Sequence, residues 1–184
     1  TQVTDAAQAW LEQQGSYKFL DWDDAVGNHE KFDLVVAVDE FLTFAETELE
    51  QQQNISKLCG LSRSVVITTL RDYKNLDFKD REFSTPALVR TENGSRIFLE
   101  HHEHDATDRN AWQRTVYEIE NRGLKTYGRF QCRNMFFKQC AKFSFDAGAR
   151  DFLVHNNIMY KGITKKNYEH VISMRFEQNG HSKS

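Results

Sequence analysis

Two short aliphatic runs constrain this chain more than any other feature. Residues 32–38, reading FDLVVAV, and residues 64–69, reading SVVITT, are rich in β-branched side chains and nearly continuous rather than alternating. That is the pattern of strands covered on both faces in a parallel sheet. Between them, residues 40–58 are rich in Glu, Gln, Leu and Phe, with Phe41, Phe44, Leu49, Ile55 and Leu58 apolar and Gly60 following, which predicts one helix or two short ones. Strand, helix, strand is a βαβ unit with a right-handed crossover. The class is α/β.

The remaining composition fits one folded domain. The chain has 184 residues, 39% of them hydrophobic and 12% aromatic, enough to bury a core and too apolar for a disordered segment. The longest aliphatic run, Leu34 to Val38, falls far short of the roughly 20 apolar residues of a membrane helix, so no membrane association is expected. Three cysteines, Cys59, Cys132 and Cys140, are an odd number in otherwise apolar segments and read as buried thiols of an intracellular, cytoplasmic protein. The chain opens on Thr1 rather than methionine, as a fragment or a processed product does. Charge is uneven: residues 1–120 hold 12 Lys and Arg against 23 Asp and Glu, whereas residues 121–184 hold 12 against 4. A basic C-terminal face can attract an anionic partner, or simply attract the acidic half.

Other elements follow from local signals. Residues 4–14 read as a helix ending at Gly15, and Tyr17 to Leu20 as a brief strand running into an acidic loop, Asp21-Trp22-Asp23-Asp24. Asn93-Gly94 between the runs 87–90 and 96–99 predicts a β-hairpin outside the main sheet, because both turn positions need positive φ. Residues 107–121 suit a helix or a strand. Residues 132–147 place Cys132, Met135, Phe136, Gln139, Cys140 and Phe143 on one helical face, better explained by packing than by nucleophilic chemistry. Residues 151–159 and 168–176 read as a closing antiparallel strand pair around a basic turn, and 177–184 as a tail. The expected fold is a Rossmann-like, mainly parallel sheet with a C-terminal antiparallel pair and an inserted β-hairpin. Residues 1–176 form one domain with an insertion at about 71–128.

In this order the elements resemble the later part of a class I S-adenosylmethionine-dependent methyltransferase. Lys18-Phe19-Leu20-Asp21-Trp22 looks like that family's strand ending in an acidic residue, and Phe32 to Asp39 looks like its FDLVV strand with an acid at the mouth of the site. Val65 to Thr68 and the helix ending at Ala147-Gly148 are similar to later family elements, so the resemblance covers about residues 1–70 and 130–176. The family's first strand and its glycine-rich cofactor turn are not present in this chain. The resemblance implies transfer of a methyl group from S-adenosylmethionine to an acceptor, with Asp21, Trp22, Asp23, Asp39, Glu40 and Phe41 as cofactor-binding residues.

Side-chain chemistry gives each candidate two readings. Trp22 can stack on a purine while a carboxylate of Asp21 or Asp23 accepts from its amine; the same residues also suit a solvated loop. Asp39 lies at the carboxyl end of the strongest strand, where α/β sheets bind ligands, and suits a catalytic base or a helix cap equally. The run Glu100-His101-His102-Glu103-His104-Asp105 is the most unusual in the chain. On a strand His102 and His104 share a face, as catalytic bases, as a polar strand end, or as metal ligands with Asp108 or His155; no third ligand has a recognisable spacing, so no metal is expected. His101, Arg109 and Trp112 are candidates for substrate contact. The alternative function is a non-catalytic module that binds nucleic acid or a larger assembly through Arg129, Arg133, Lys138, Lys142, Lys161, Lys165 and Lys166.

Overall fold

The computed structural model describes residues 18, 22–27, 30–38, 41–71, 81–91, 94–120, 123–155 and 169–176. The chain divides into two compact units, residues 1–30 and 31–184. In the first, helix α1 (Trp22–Gly27) buries Ala25, and Lys18 pairs with Glu30 at 3.2 Å. The segment expected to be an acidic loop is therefore a helical turn from Trp22 onward. Asp24 in its first turn suits the positive end of the helix dipole, and Gly27 ends it. The helix expected over 4–14, the strand over 17–20 apart from Lys18, and the side chains of Asp21 and Asp23 lie outside the described residues.

The second unit opens with β1 (Phe32–Ala37), a 3-10 turn at Phe41–Thr43, α2 (Glu48–Gly60) and β2 (Ser62–Arg71). β1 and β2 are parallel, Leu34 opposite Val65 and Ala37 opposite Thr68, so the βαβ unit is present as the aliphatic runs require. Helix α2 begins with a T-x-x-E cap: the Thr47 hydroxyl accepts from the Glu50 amide at 3.1 Å, and the Glu50 carboxylate accepts from the Glu46 amide at 2.8 Å. The inserted strands are β3 (Arg81–Phe83), β4 (Ala87–Thr91), β5 (Gly94–His104), β6 (Ala111–Glu120) and β7 (Gly123–Arg133). Helix α3 (Phe137–Asp146), β8 (Asp151–His155) and β9 (Glu169–Arg175) close the chain.

Two sheets result. The first has the order β1-β2-β9-β8, with β9 antiparallel to both neighbours. The closing pair is antiparallel as expected, but among the described residues only β1 and β2 pair in parallel, so the sheet is mixed rather than mainly parallel. The reversal of β9 imposes that. β1 is also the edge strand of the described sheet, which leaves Leu34, Val36 and Val38 about half exposed rather than covered on both faces.

The second sheet has the order β3-β5-β6-β7, with β4 also pairing β5. The expected hairpin is there, with Gly94 at φ +120° on its turn. It is part of a larger antiparallel insertion that runs from Arg81 to Arg133, beyond the boundary of 128. Residues 111–120 are a strand, and the helix expected from Cys132 starts only at Phe137. The reason lies in the ladder: Trp112 pairs with Cys132, and the Asn134 amide donates to the Asn110 carbonyl at 2.8 Å, which holds the chain extended past the predicted helix start.

The core of the second unit lies between the mixed sheet and its helices. From α2, Gln51, Asn54, Ile55, Leu58 and Cys59 turn inward at helical spacing; Val66 and Leu70 of β2, Ile172 and Met174 of β9, and Cys140 and Phe143 of α3 are also buried. Gln51 is wholly buried among them. Its amide nitrogen donates to the carbonyls of Arg133 at 2.9 Å, Asn134 at 3.4 Å and Leu42 at 3.5 Å, tying the end of the inserted sheet to the turn after β1. Replacing Gln51 with Ala leaves those carbonyls without their donor and should cost about 1–3 kcal/mol, read by chemical denaturation.

All three thiols are buried. Burial pushes both Cys59 and Cys140 up to about 12. Neither should react with iodoacetamide at mildly alkaline pH until denaturant is added, which mass spectrometry of the alkylated chain checks.

Candidate functional site

The inserted sheet assembles a group of titratable side chains. Along β5, Glu100, His102 and His104 alternate onto one face. The β5–β6 register sets Val116 opposite Glu100, Arg114 opposite His102 and Trp112 opposite His104, and directly opposed residues share a face. The register depends on the tight turn that joins the strands. There one carboxylate oxygen of Asp105 accepts from the Thr107 amide at 2.7 Å, the Thr107 hydroxyl at 2.6 Å and the Asp108 amide at 2.9 Å.

Glu100 is the hub. One of its oxygens takes Arg114, and the other lies 3.3 Å from Nε2 of His102. The His102 hydrogen bond, followed by the Arg114 guanidinium, outweighs partial burial and holds the Glu100 carboxyl down to about 2. His102 meets Trp112 edge to face at 5.0 Å, and His104 lies tilted over the same indole at 6.1 Å. The Arg114 guanidinium also caps the ring of Phe44 at 5.6 Å, and Phe44 packs edge to face on Phe130 at 5.7 Å. Phe44 belongs to the segment immediately after the carboxyl end of β1. The cluster therefore reaches the rim where α/β sheets take their ligands.

The predicted residues fall into three groups. His102, His104 and Trp112 come together, with Trp112 almost wholly buried beneath the two imidazoles. His101 lies on the opposite face, stacked on Phe83 at 4.5 Å, and Arg109 is exposed in the turn between β5 and β6. Phe41 starts the 3-10 turn after β1, half-buried, and Trp22 is half-buried in α1. Asp39 and Glu40, like the side chains of Asp21 and Asp23, lie outside the described residues. Glu100 opens the unusual run of the sequence but is given no role there, and Arg114 is not singled out. Glu100 was legible in the period of two that gave His102 and His104, whereas Arg114 needed the strand register.

A separate cavity of about 380 Å³ opens at the starts of α2 and α3, lined by residues that include Glu48, Arg133, Asn134, Lys138 and Lys142. Two of its cations are already paired, Arg133 with Asp108 at 2.8 Å and Lys142 with Asp146 at 2.6 Å. Among the described residues no group of three or more His, Cys, Asp or Glu is arranged to hold a metal ion, and no helix is long and apolar enough to cross a membrane.

No family model matches the chain, and no curated protein matches it by sequence. Solved structures do match. An S-adenosylmethionine-dependent methyltransferase from Clostridium acetobutylicum aligns over 92% of this chain and 69% of its own, at TM-score 0.57 and 11% identity. The CcbJ methyltransferase from Streptomyces caelestis aligns over 88% and 62%, at TM-score 0.57 and 14% identity. The sugar N-methyltransferase KedS8 from a Streptoalloteichus species aligns over 95% and 69%, at TM-score 0.51 and 11% identity. The chain thus spans 62–69% of the length of these structures. At such identities the likeness is one of fold: the chain has the fold of S-adenosylmethionine-dependent methyltransferases.

The low value at Glu100 has a consequence for stability. A carboxyl whose folded value lies below its ordinary 4.5 adds stability that is fully present above about pH 4.5 and fades as pH falls toward about 2. The stability difference between wild type and Glu100→Gln should therefore be larger near about pH 7 than near about pH 3, as denaturation curves at the two pH values will read.

Proposed function

We propose that this chain is the methyl-transferring part of an S-adenosylmethionine-dependent methyltransferase. The observation that carries the reading is the shared fold, with a parallel β1–β2 pair, a reversed β9 and β8 beyond it. The inserted sheet adds His102 and His104 on the face whose Arg114 caps Phe44 of the segment after β1. On this reading residues 1–176 act as one domain whose insertion extends to Arg133, followed by a tail at 177–184. The burial of Cys59, Cys132 and Cys140 supports an intracellular setting.

Asp21, Trp22 and Asp23 of the first unit, and Asp39, Glu40 and Phe41 of the second, are the residues that would each contribute to holding the cofactor: a carboxylate can accept from an amine or a hydroxyl, and an aromatic ring can offer an apolar face to a purine. When bound, S-adenosylmethionine supplies an activated methyl group on a positively charged sulfur. The chain then needs only to hold the acceptor in line and, where the acceptor carries a proton, to remove it. Asp39, His102 and His104 are the groups assigned that proton. His101, Arg109 and Trp112 were expected to contact the acceptor; of these Trp112 supports the imidazoles from below, and Arg109 stands free in the turn to meet an acceptor from solvent.

Calorimetry with S-adenosylhomocysteine, the demethylated product, tests the proposal. A saturable one-to-one heat that weakens several-fold in Phe41→Ala is the expected result. No heat with either the cofactor or its product would remove the methyltransferase reading.

A further inference from the structure

From the geometry of the inserted sheet we infer that Glu100 is a positioning residue that fixes the tautomer of His102 and leaves Nδ1 as its proton-accepting atom. The acceptor it would serve is one that brings a proton to the site, an ammonium or a hydroxyl. The inference rests on the methyltransferase reading for its acceptor, but the tautomer itself depends only on this chain.

An ionised carboxylate can only accept, so the ring nitrogen facing Glu100, Nε2 at 3.3 Å, must carry a hydrogen. A neutral imidazole carries one ring hydrogen, and the lone pair therefore resides on Nδ1. Glu100 is itself kept in place, because its second oxygen is taken by Arg114, which sits directly opposite His102 in the ladder and is braced over Phe44. The ring plane of His102 is steadied by the edge-to-face contact with Trp112. The other titratable groups facing His102 are His104 on its own strand and Glu82, its register partner on β3. The His102 side chain remains about one-fifth exposed. A carboxylate that orients one nitrogen while the other does proton chemistry is the arrangement a general base requires. In the step assigned to it, the acceptor's N–H or O–H proton moves to the Nδ1 lone pair, the bonding electrons stay on the acceptor atom, and solvent later takes the proton from Nδ1.

Long-range proton–nitrogen NMR of the full chain with labelled histidine reads the tautomer without cofactor or acceptor. The expected spectrum at a pH where the ring is neutral shows His102 protonated on Nε2, and the preference is lost in Glu100→Gln. In turnover, Glu100→Gln should lower kcat about tenfold with KM little changed, and His102→Ala about a hundredfold, the range of a lost general base. A wild-type ring protonated on Nδ1, or a tautomer preference unaltered in Glu100→Gln, would overturn the inference whatever the activity. Absence of cofactor binding alongside the expected tautomer would instead count against the methyltransferase reading and leave the Glu100–His102 assignment standing.

Discussion

A buried amide ties the inserted sheet of the larger unit to its βαβ unit. Gln51 sits on the inward face of α2, wholly buried, and donates to backbone carbonyls from two parts of the chain far apart in sequence: Leu42 after β1, and Arg133 and Asn134 at the end of β7. Backbone carbonyls in a dry interior must find donors, and an apolar side chain at this position would bury them unsatisfied. The inserted sheet is thereby fixed to the βαβ unit. The Arg114–Phe44 and Phe44–Phe130 contacts join the same two parts beside it.

The cluster on β5 and β6 illustrates how an ionic group persists when partly removed from water. Glu100 is satisfied twice, by a guanidinium and by an imidazole, and Arg114 adds an aromatic face beneath its charge. Each partner compensates part of the desolvation of the others. The structure thus concentrates its charge-bearing chemistry on one face, while His101, Arg81 and Glu103 occupy the other: Arg81 pairs with Glu103 at 2.6 Å, and His101 stacks on Phe83.

Much of this was legible where local physics decides. The aliphatic runs gave β1 and β2 in parallel, the Asn93-Gly94 pair gave the β4–β5 turn with Gly94 at positive φ, and the closing strands paired antiparallel. What escaped the sequence was non-local. β7 is mostly exposed and lacks a continuous apolar run, so it becomes a strand through its long ladder with β6 rather than through its own pattern. The same ladder draws Cys132 out of the helix in which its spacing with Cys140 had placed it. At the site, the period of two gave the shared face of His102 and His104, but the partner of Glu100 depended on how a turn built on Asp105 sets the register between two strands.

The account stands on the claim that the end of β1 and the His102 face of the inserted sheet border one ligand site. Titrating the nitrogen-15-labelled chain with S-adenosylhomocysteine and following every backbone amide tests this most directly. The account predicts saturable shifts at Phe41 to Ala45 together with shifts on β5 around His102. Shifts confined to the β8–β9 edge, or none at all, would contradict it.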